Sequence, residues 1–233
     1  MNQLLIKTFC VLHCFLFITP LVGDEKFTSI FNGKTFDGWV CRPEGQSSNW
    51  SIDGGEIIAK GKGRESYLLF KRQLSDFELK FSYKFLSDTG NTGVEVRGIP
   101  VEGKPSRLQG YHADIGHVGI GDKVLGAWDF HENQRGDYLA KRGQVVIINH
   151  DGSKIRHPID RVFEPESLSK NDWNHVHITA IGNTMWFTIN GEMASKVIDN
   201  VDAKRLDKGL IGFQLHSGDQ MEVAFKNILL KEK

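Results

Sequence analysis

The sequence predicts an all-β fold, a sandwich of two antiparallel sheets, from three observations. Apolar residues recur at every second position over most of the chain, and turn sequences return at short intervals. The chain contains 25 glycines and few convincing helical stretches. Alternation with a period of two is typical of strands that turn one face toward a core. Many short strands separated by regular turns favour a sandwich or a jelly roll.

The individual elements follow from local patterns. Residues Phe77–Phe85 form the clearest strand, because aromatic and aliphatic residues alternate with charged or polar ones. Trp50–Lys60 and Met185–Val197 are predicted hairpins, each around a glycine-containing turn. The remaining predicted elements are two strands and a short helix: Gly209–His216, Met221–Leu230 and Pro165–Ser169.

The first 23 residues are interpreted as a signal peptide. Basic Lys7 precedes an apolar segment, and small Gly23 precedes the acidic Asp24 at a suitable cleavage point. The apolar segment is short for a membrane span, so an uncleaved anchor is the less favoured alternative. We therefore expect a secreted or periplasmic protein whose single domain covers residues 24–233 and which has no membrane association after cleavage.

Composition excludes several classes of partner and of stabilisation. The chain has 29 basic and 29 acidic residues and a formal net charge of zero. A neutral chain has no general electrostatic attraction to nucleic acid or anionic membrane. Cys41 is the single cysteine after residue 23. The predicted mature domain therefore has no internal disulfide, and its stability must come from its core.

Polar pairs on three predicted strands suggest a binding face. The pairs are Glu95 with Arg97, His112 with Asp114, and Gln214 with His216. Residues two apart share one face of a strand, whereas the apolar residues between them enter the core. If the strands are neighbours, the pairs form a patch suited to one or two sugar rings. The glycines beside them are expected to leave room for a ligand: Gly90, Gly93, Gly98, Gly110 and Gly218. The alternative is an ordinary solvated sheet face.

Two further segments contain residues that can take part in a site. The segment 126–136 is dense in aromatic and charged residues and is interpreted as a loop, either functional or held in place by Trp128 and Phe130. His175 and His177 have a spacing that can chelate a metal, but no third ligand is evident. They are interpreted as a pair of surface histidines.

A series of short motifs resembles the 3-keto-disaccharide hydrolase domain family over about residues 27–231. The motifs occur in this order: Phe31-Asn32-Gly33-Lys34, Gly38-Trp39, Asn49-Trp50-Ser51, Asp76-Phe77-Glu78-Leu79, Asn91-Thr92-Gly93-Val94 with Arg97, Gly110-Tyr111-His112-Ala113-Asp114-Ile115, Leu139-Ala140 with Arg142-Gly143, Asp172-Trp173-Asn174, Asn190-Gly191, Gln214-Leu215-His216 and Phe225-Lys226-Asn227-Ile228. The resemblance implies a concanavalin A-like jelly roll.

The resemblance also implies cleavage of glycosides already oxidised at C3. A ketone at C3 acidifies the proton on C2, so a base can remove it, the C1 substituent leaves by elimination, and water adds back. Such a site does not need the spaced carboxylate pair of ordinary glycosidases. The sequence identifies no cofactor with certainty. A divalent metal ion acting at the keto and hydroxyl oxygens is compatible with this chemistry.

The sequence departs from the family pattern at three positions. His112 stands where glutamine is usual, Glu95 where an aromatic or amide residue is common, and His131 lies in a segment that usually reads as tyrosine followed by two acidic residues. These departures bear on substrate choice and on activity.

Asp114, Glu132 and His216 are the predicted catalytic residues, in acid–base or metal-binding roles. The predicted substrate contacts are Glu95, Arg97, Tyr111, His112, Arg135 and Gln214. The first alternative is a non-catalytic carbohydrate-binding module, because this fold hosts lectins as well as enzymes. A laminarinase-like glucanase is a weaker alternative, since its Glu-x-Asp-x-x-Glu strand is missing from the sequence.

Overall fold

The computed structural model describes residues 26–88, 90–116, 121, 123–132, 135, 138–218 and 220–233. The signal peptide predicted at residues 1–23 lies outside the described residues. Within them the structure has sixteen strands and two short 3-10 turns, Glu44–Asn49 and Pro165–Ser167. In this described part of the chain, no helix has the length and apolar character needed to cross a membrane.

The strands in chain order are β1 (Thr28–Ser29), β2 (Trp39–Arg42), β3 (Trp50–Asp53), β4 (Glu56–Gly61), β5 (Ser66–Phe70), β6 (Phe77–Phe85), β7 (Gly93–Pro100), β8 (Leu108–Asp114), β9 (Trp128–His131), β10 (Gln144–Ile148), β11 (Lys154–Pro158), β12 (Asn174–Ile181), β13 (Thr184–Ile189), β14 (Glu192–Asp199), β15 (Leu210–Leu215) and β16 (Met221–Glu232).

These strands form two sheets. The ten-stranded sheet has the order β11-β10-β14-β13-β12-β6-β16-β4-β3, with β1 paired to β16. The six-stranded sheet has the order β2-β5-β15-β7-β8-β9. Pairing is antiparallel throughout except between β10 and β14, which run parallel. The predicted sandwich of two antiparallel sheets is therefore confirmed, with this one parallel pair as an addition.

Aromatic side chains from both sheets meet in the core. Phe81 and Phe225 from the ten-stranded sheet contact Phe213 of β15, with ring centroids 5.0 and 4.7 Å apart. Near β9, the buried Trp128 packs edge-on against Phe187, at 5.2 Å between centroids. These contacts are the expected result of alternation, because every second residue of the facing strands points inward.

Most sequence-predicted elements are found. The strand Phe77–Phe85 is confirmed with those bounds, and both predicted hairpins are present as β3–β4 and β13–β14. The short helix predicted at Pro165–Ser169 is a single 3-10 turn. The interpretation of the whole segment 126–136 as a loop is wrong, because Trp128–His131 pairs with β8 as the edge strand of the six-stranded sheet.

Candidate active site

The outer face of the six-stranded sheet carries a row of ionisable side chains. Glu95 of β7 lies opposite His112 of β8, which lies opposite Asp129 of β9. Their neighbours Val94 and Ala113 belong to the hydrophobic core. Since successive side chains of a strand alternate between faces, the charged groups must point away from the core.

Three side chains of this face form a compact group, the histidine–glutamate cluster of Glu95, His112 and His131. Oε2 of Glu95 lies 3.3 Å from Nδ1 of His112 and 3.1 Å from Nδ1 of His131. The two imidazole rings stack with centroids 4.4 Å apart. Glu95 is completely buried and the His112 side chain is 2% exposed, whereas the His131 side chain is 23% exposed. His131 therefore connects the buried pair with the surface.

Glycines form the floor beneath the cluster. A methyl group added at Gly93 would overlap the His112 ring, and one at Gly110 would lie 2.6 Å from Oε1 of Glu95. At Gly98 it would lie 2.7 Å from Cγ of Glu95. The expectation that these glycines leave room for a ligand is therefore corrected at three positions, because the space is filled by the cluster itself. Their small size lets Glu95 and His112 lie flat on the sheet.

The pKa values of the two histidines shift in opposite directions. Burial, followed by the nearby charge of His131, holds the pKa of His112 well below its usual value. Burial opposes protonation of His131 too, but the Glu95 carboxylate outweighs it and raises the pKa of His131 to about 9. Burial raises the pKa of Glu95, and contact with His131 opposes that shift. At neutral pH the cluster therefore holds a positive charge on His131 and a neutral imidazole at His112.

Carboxylates lie beside the outer nitrogens of both histidines. Nε2 of His112 is 3.7 Å from Oδ1 of Asp114, and Nε2 of His131 is 3.6 Å from Oδ2 of Asp129. Burial, followed by the charge of Asp129, raises the pKa of Asp114 well above its usual value. Asp129 is the more accessible of the two, with 28% of its side chain exposed.

A second group, the Gln214 network, adjoins the cluster on β5 and β15. Nε2 of Gln214 donates to Oε1 of Glu65 at 2.6 Å and to the hydroxyl of Tyr67 at 3.1 Å. The Tyr67 hydroxyl donates to the same Glu65 oxygen at 2.8 Å. Arg107 pairs with the other oxygen of Glu65 at 2.8 Å. Gln214 is thus held in place by its buried partners Glu65 and Tyr67, and Arg107 extends the network to the surface.

An open pocket borders the Gln214 network. It has a volume of about 460 Å³ and is lined in part by Glu65, Arg107 and Ser217. That volume lies within the range of small-ligand sites. Glu132 lies at the same rim, where Lys104 contacts it at 2.6 Å and Arg107 at 3.7 Å. Its hydrogen bond from Lys104 lowers the pKa of Glu132, so this carboxyl is ionised at neutral pH.

His216 follows β15 directly and is half-buried. Its Nδ1 lies 2.5 Å from the backbone oxygen of Ser217. A carbonyl oxygen only accepts hydrogen bonds, so in the neutral ring Nδ1 carries the proton and Nε2 carries the lone pair. The backbone therefore holds His216 in the tautomer that a general base requires.

Residues 26–231 match the family described as 3-keto-alpha-glucoside-1,2-lyase-like domain. The chain belongs to this family. A 3-keto-disaccharide hydrolase of Bacteroides thetaiotaomicron is 34% identical over 83 residues, which cover 31% of this chain and 28% of that relative. The match thus spans less than a third of the relative's own length.

Solved structures agree on the fold. A putative glycosyl hydrolase from Parabacteroides distasonis has a TM-score of 0.60 and 18% identity. The alignment covers 89% of this chain and 100% of that one. The carbohydrate-binding module CBM66 from Bacillus subtilis has a TM-score of 0.54 and 16% identity, covering 84% of this chain and 96% of that one. At these identities the likeness concerns the fold alone, the concanavalin A-like jelly-roll sandwich predicted from the sequence.

Among the predicted site residues, the structure brings together Glu95, His112, Asp114 and Gln214 on the outer face, with Glu132 and His216 at its edges. Arg97 is not among them, and its predicted position beside Glu95 is wrong. The pairing of β7 shifts register between Val96 and Ile99, and Arg97 has a φ of 55°. This irregularity turns its side chain toward the ten-stranded sheet. There the guanidinium donates to the backbone oxygens of Ser75, Gly182 and Leu206.

Tyr111 and Arg135 also lie away from the outer face. Tyr111 is buried on the core side of β8, and its hydroxyl donates to Asp199. Arg135 donates to both carboxylate oxygens of Asp199 and lies over the Phe130 ring, 4.9 Å from its centroid. The structure therefore does not bring these two residues to the outer face, and their predicted substrate contacts stay predictions. They connect the edge of the six-stranded sheet to β14.

The sequence interpretation missed part of the site. Asp129 and His131 alternate with core residues Trp128 and Phe130. That alternation was a strand signal, and it placed both polar residues on one face. Glu65, Tyr67 and Arg107 gave no comparable signal, because Glu65 reaches Gln214 across 149 residues of sequence.

Proposed function

We propose that this protein cleaves glycosides that carry a ketone at C3, by removal of the C2 proton, departure of the C1 substituent and addition of water. The observation that carries the proposal is the combination on one sheet face of His216, with a free Nε2, and the charged pair of Glu95 and His131. Family membership supports the choice of a 3-keto sugar. This substrate class and mechanism go beyond what the fold alone implies.

His216 is the proposed base. Because Nδ1 is committed to the Ser217 carbonyl, Nε2 can accept the C2 proton. The resulting imidazolium then returns a proton to the departing C1 oxygen, so one residue serves both steps. Water adds across the C1–C2 double bond and completes a net hydrolysis. Neighbouring Ser217 lines the pocket of about 460 Å³, which supports a sugar site beside this histidine.

His131 is the proposed stabiliser of the enolate oxygen. Glu95 holds its Nδ1 at 3.1 Å, and its Nε2 is 3.6 Å from Asp129, beyond hydrogen-bonding distance. The Nε2–H is therefore available to donate to a substrate oxygen that gains negative charge. Glu95 and Asp129 act as positioning residues for this ring. Arg107, which lines the pocket, is suited to hold a sugar hydroxyl, and Gln214 positions its partner Glu65.

Ordinary displacement at C1 fits the geometry less well. It would use Asp114 and Glu132 as acid and nucleophile or base. Asp114 has only 7% of its side chain exposed, and Glu132 is tied to Lys104 at 2.6 Å. A carboxylate held ionised by a lysine is a poor proton donor. The acid–base roles predicted for these two residues stay predictions.

A non-catalytic carbohydrate-binding module is the second candidate, and the fold likeness to CBM66 favours it. The two functions are separated by incubating the protein with a 3-keto-glucoside and with its unoxidised parent in deuterated water. Cleavage of the keto compound alone, with solvent deuterium appearing at C2, supports the proposal. Binding of either sugar without cleavage supports the module. Equal cleavage of both, with the C2 proton retained, favours displacement.

Matched variants test the assignment. His216→Gln should lower kcat by roughly 10²–10⁴-fold, the usual loss for a general acid or base. His131→Gln should lower it by roughly 10²–10³-fold, the usual loss for one oxyanion donor. Both should have a smaller effect on KM. His175→Gln is the control, because His175 lies on the other sheet and contacts Ser82 at 2.9 Å. If His216→Gln kept wild-type kcat while the control behaved as expected, the assignment of the base would be wrong.

A further inference from the structure

The histidine–glutamate cluster has the composition of a transition-metal site. Among the described residues, Glu95, His112 and His131 offer ligand atoms that all lie within 4.8 Å of one another. Two imidazoles and one carboxylate are the ligand set of many zinc and iron centres. Magnesium and calcium, in contrast, prefer sites made of oxygen ligands.

The spacing of the donor atoms fits a shared ion. Donors about 2.1 Å from one ion, arranged tetrahedrally, lie roughly 3.4 Å from each other. Oε2 of Glu95 is 3.3 Å from Nδ1 of His112 and 3.1 Å from Nδ1 of His131. An ion can therefore be seated with small rotations of the three side chains. It would take the place of the proton between Glu95 and His131 and keep a positive charge at the same position.

The surroundings also match those of a metal centre. Histidines that bind a metal through one nitrogen usually present the other to a carboxylate or carbonyl. Here Nε2 of His112 faces Asp114 at 3.7 Å, and Nε2 of His131 faces Asp129 at 3.6 Å. Both outer carboxylates are thus placed to orient the rings while Nδ1 points at the proposed ion.

Glu95 supplies an independent reason for a cation. Its side chain is completely buried, and its Oε1 has no hydrogen-bond partner in the part of the chain that the structure describes. A buried carboxylate with an unsatisfied oxygen is costly unless a positive charge compensates it. Protonated His131 compensates it in part, and a divalent ion would do so more fully.

We propose that Glu95 Oε2, His112 Nδ1 and His131 Nδ1 bind one divalent transition-metal ion such as Zn²⁺, with Asp114 and Asp129 as the outer carboxylates. Metal binding is measured without substrate, so its outcome is independent of the outcome for the proposed reaction.

The test uses the purified protein after treatment with a chelator and dialysis. Calorimetry with Zn²⁺ and visible absorption with Co²⁺ should show one ion per chain, and Ca²⁺ should not compete. Glu95→Gln and His131→Gln should abolish the stoichiometric binding. Asp129→Asn, which changes a partly exposed outer group, should weaken it about 10–100-fold. His177→Gln is the control, because His177 belongs to the rival His-x-His pair and contacts Glu78 at 2.8 Å.

Circular dichroism establishes that each variant is folded. If Glu95→Gln or His131→Gln fails to fold, Asp129→Asn decides the question. The proposal is overturned if the wild-type protein binds neither Zn²⁺ nor Co²⁺ at millimolar concentration. It is also overturned if binding survives the cluster variants, or if it is lost in His177→Gln.

Discussion

The guanidinium of Arg97 donates a hydrogen bond of 3.0 Å to Oδ1 of Asp76, far from the sheet face that its strand neighbour Glu95 occupies. Asp76 also accepts a hydrogen bond of 2.9 Å from the backbone nitrogen of Gly182. The side chain of Arg97 is completely buried. These contacts bind the end of β7 to the ten-stranded sheet, and they identify Arg97 as a structural residue.

Replacing Arg97 with methionine should therefore reduce stability more than it affects substrate binding. The change removes the side-chain donor of three backbone carbonyl groups and the charged partner of Asp76, which keeps its hydrogen bond from Gly182. We expect the free energy of unfolding to fall by roughly 2–5 kcal/mol, from lost charge-assisted hydrogen bonds and unsatisfied buried groups. Urea denaturation measures this loss, and KM for a 3-keto-glucoside should be unchanged. A raised KM with wild-type stability would restore the substrate-contact role.

Alternation explains how much of this molecule could be predicted. Strand Phe77–Phe85 and the shared face of Glu95, His112 and Asp114 follow from period two alone, since pleating leaves no other placement for their apolar neighbours. Arg97 breaks the rule because a register shift and a positive φ reverse the direction of its side chain. Neither feature has a distinctive sequence pattern.

Long-range contacts account for the rest. The partner of Tyr111 is Asp199, 88 residues later, and Arg135 reaches the same carboxylate across 64 residues. Nothing local to either residue indicates that pairing. The alternation at Trp128–His131 was readable, and treating the segment as a loop concealed His131 and Asp129.

The contact of Asp199 with Arg135 and Tyr111 should make the free energy of unfolding depend on pH in the acidic range. Burial would raise the pKa of Asp199, but hydrogen bonds from Arg135 and Tyr111 outweigh it and lower the pKa below its usual value of 3.8. A carboxyl whose pKa is lowered by folding stabilises the protein above its unfolded-state pKa. That contribution is lost as the pH falls through the folded-state pKa.

The variant Asp199→Asn isolates this contribution. It should be less stable than the wild type at neutral pH. The difference should begin to shrink as the pH falls below about 4, where the unfolded chain binds the proton first, and it should be lost once the pH falls below the lowered pKa of folded Asp199. Chemical denaturation of both proteins between about pH 2 and pH 7 measures the effect. A difference that stays constant across this range would show that the charge of Asp199 makes no contribution.

Processing of the amino terminus tests the predicted export. Mature protein recovered outside the cytoplasm should begin near Asp24, because small Gly23 provides the cleavage site. Edman sequencing or intact mass of the exported protein checks this, with Gly23→Arg as the variant expected to block cleavage. Recovery of exported protein with Met1 in place would show that the segment is not removed.

The glycine floor gives the sharpest test of the cluster geometry. In Gly93→Ala the new methyl group would overlap the His112 ring and lie 2.7 Å from the backbone oxygen of Ala113. The backbone cannot move aside easily, so His112 must leave its place against Glu95. We expect a stability loss of about 1–3 kcal/mol from overpacking, together with a loss of turnover on a 3-keto-glucoside.

Gly61→Ala is the matched control for this change. Its methyl group would lie 2.7 Å from Cδ2 of Leu215, on a flexible side chain, and its strand β4 belongs to the other sheet. This variant should lose stability by a similar amount but keep its turnover once folded. Thermal unfolding and steady-state kinetics on both variants separate crowding from displacement of His112. Gly93→Ala could lose as much stability as Gly61→Ala and still be fully active. That result would show that the position of His112 against Glu95 does not matter for the reaction.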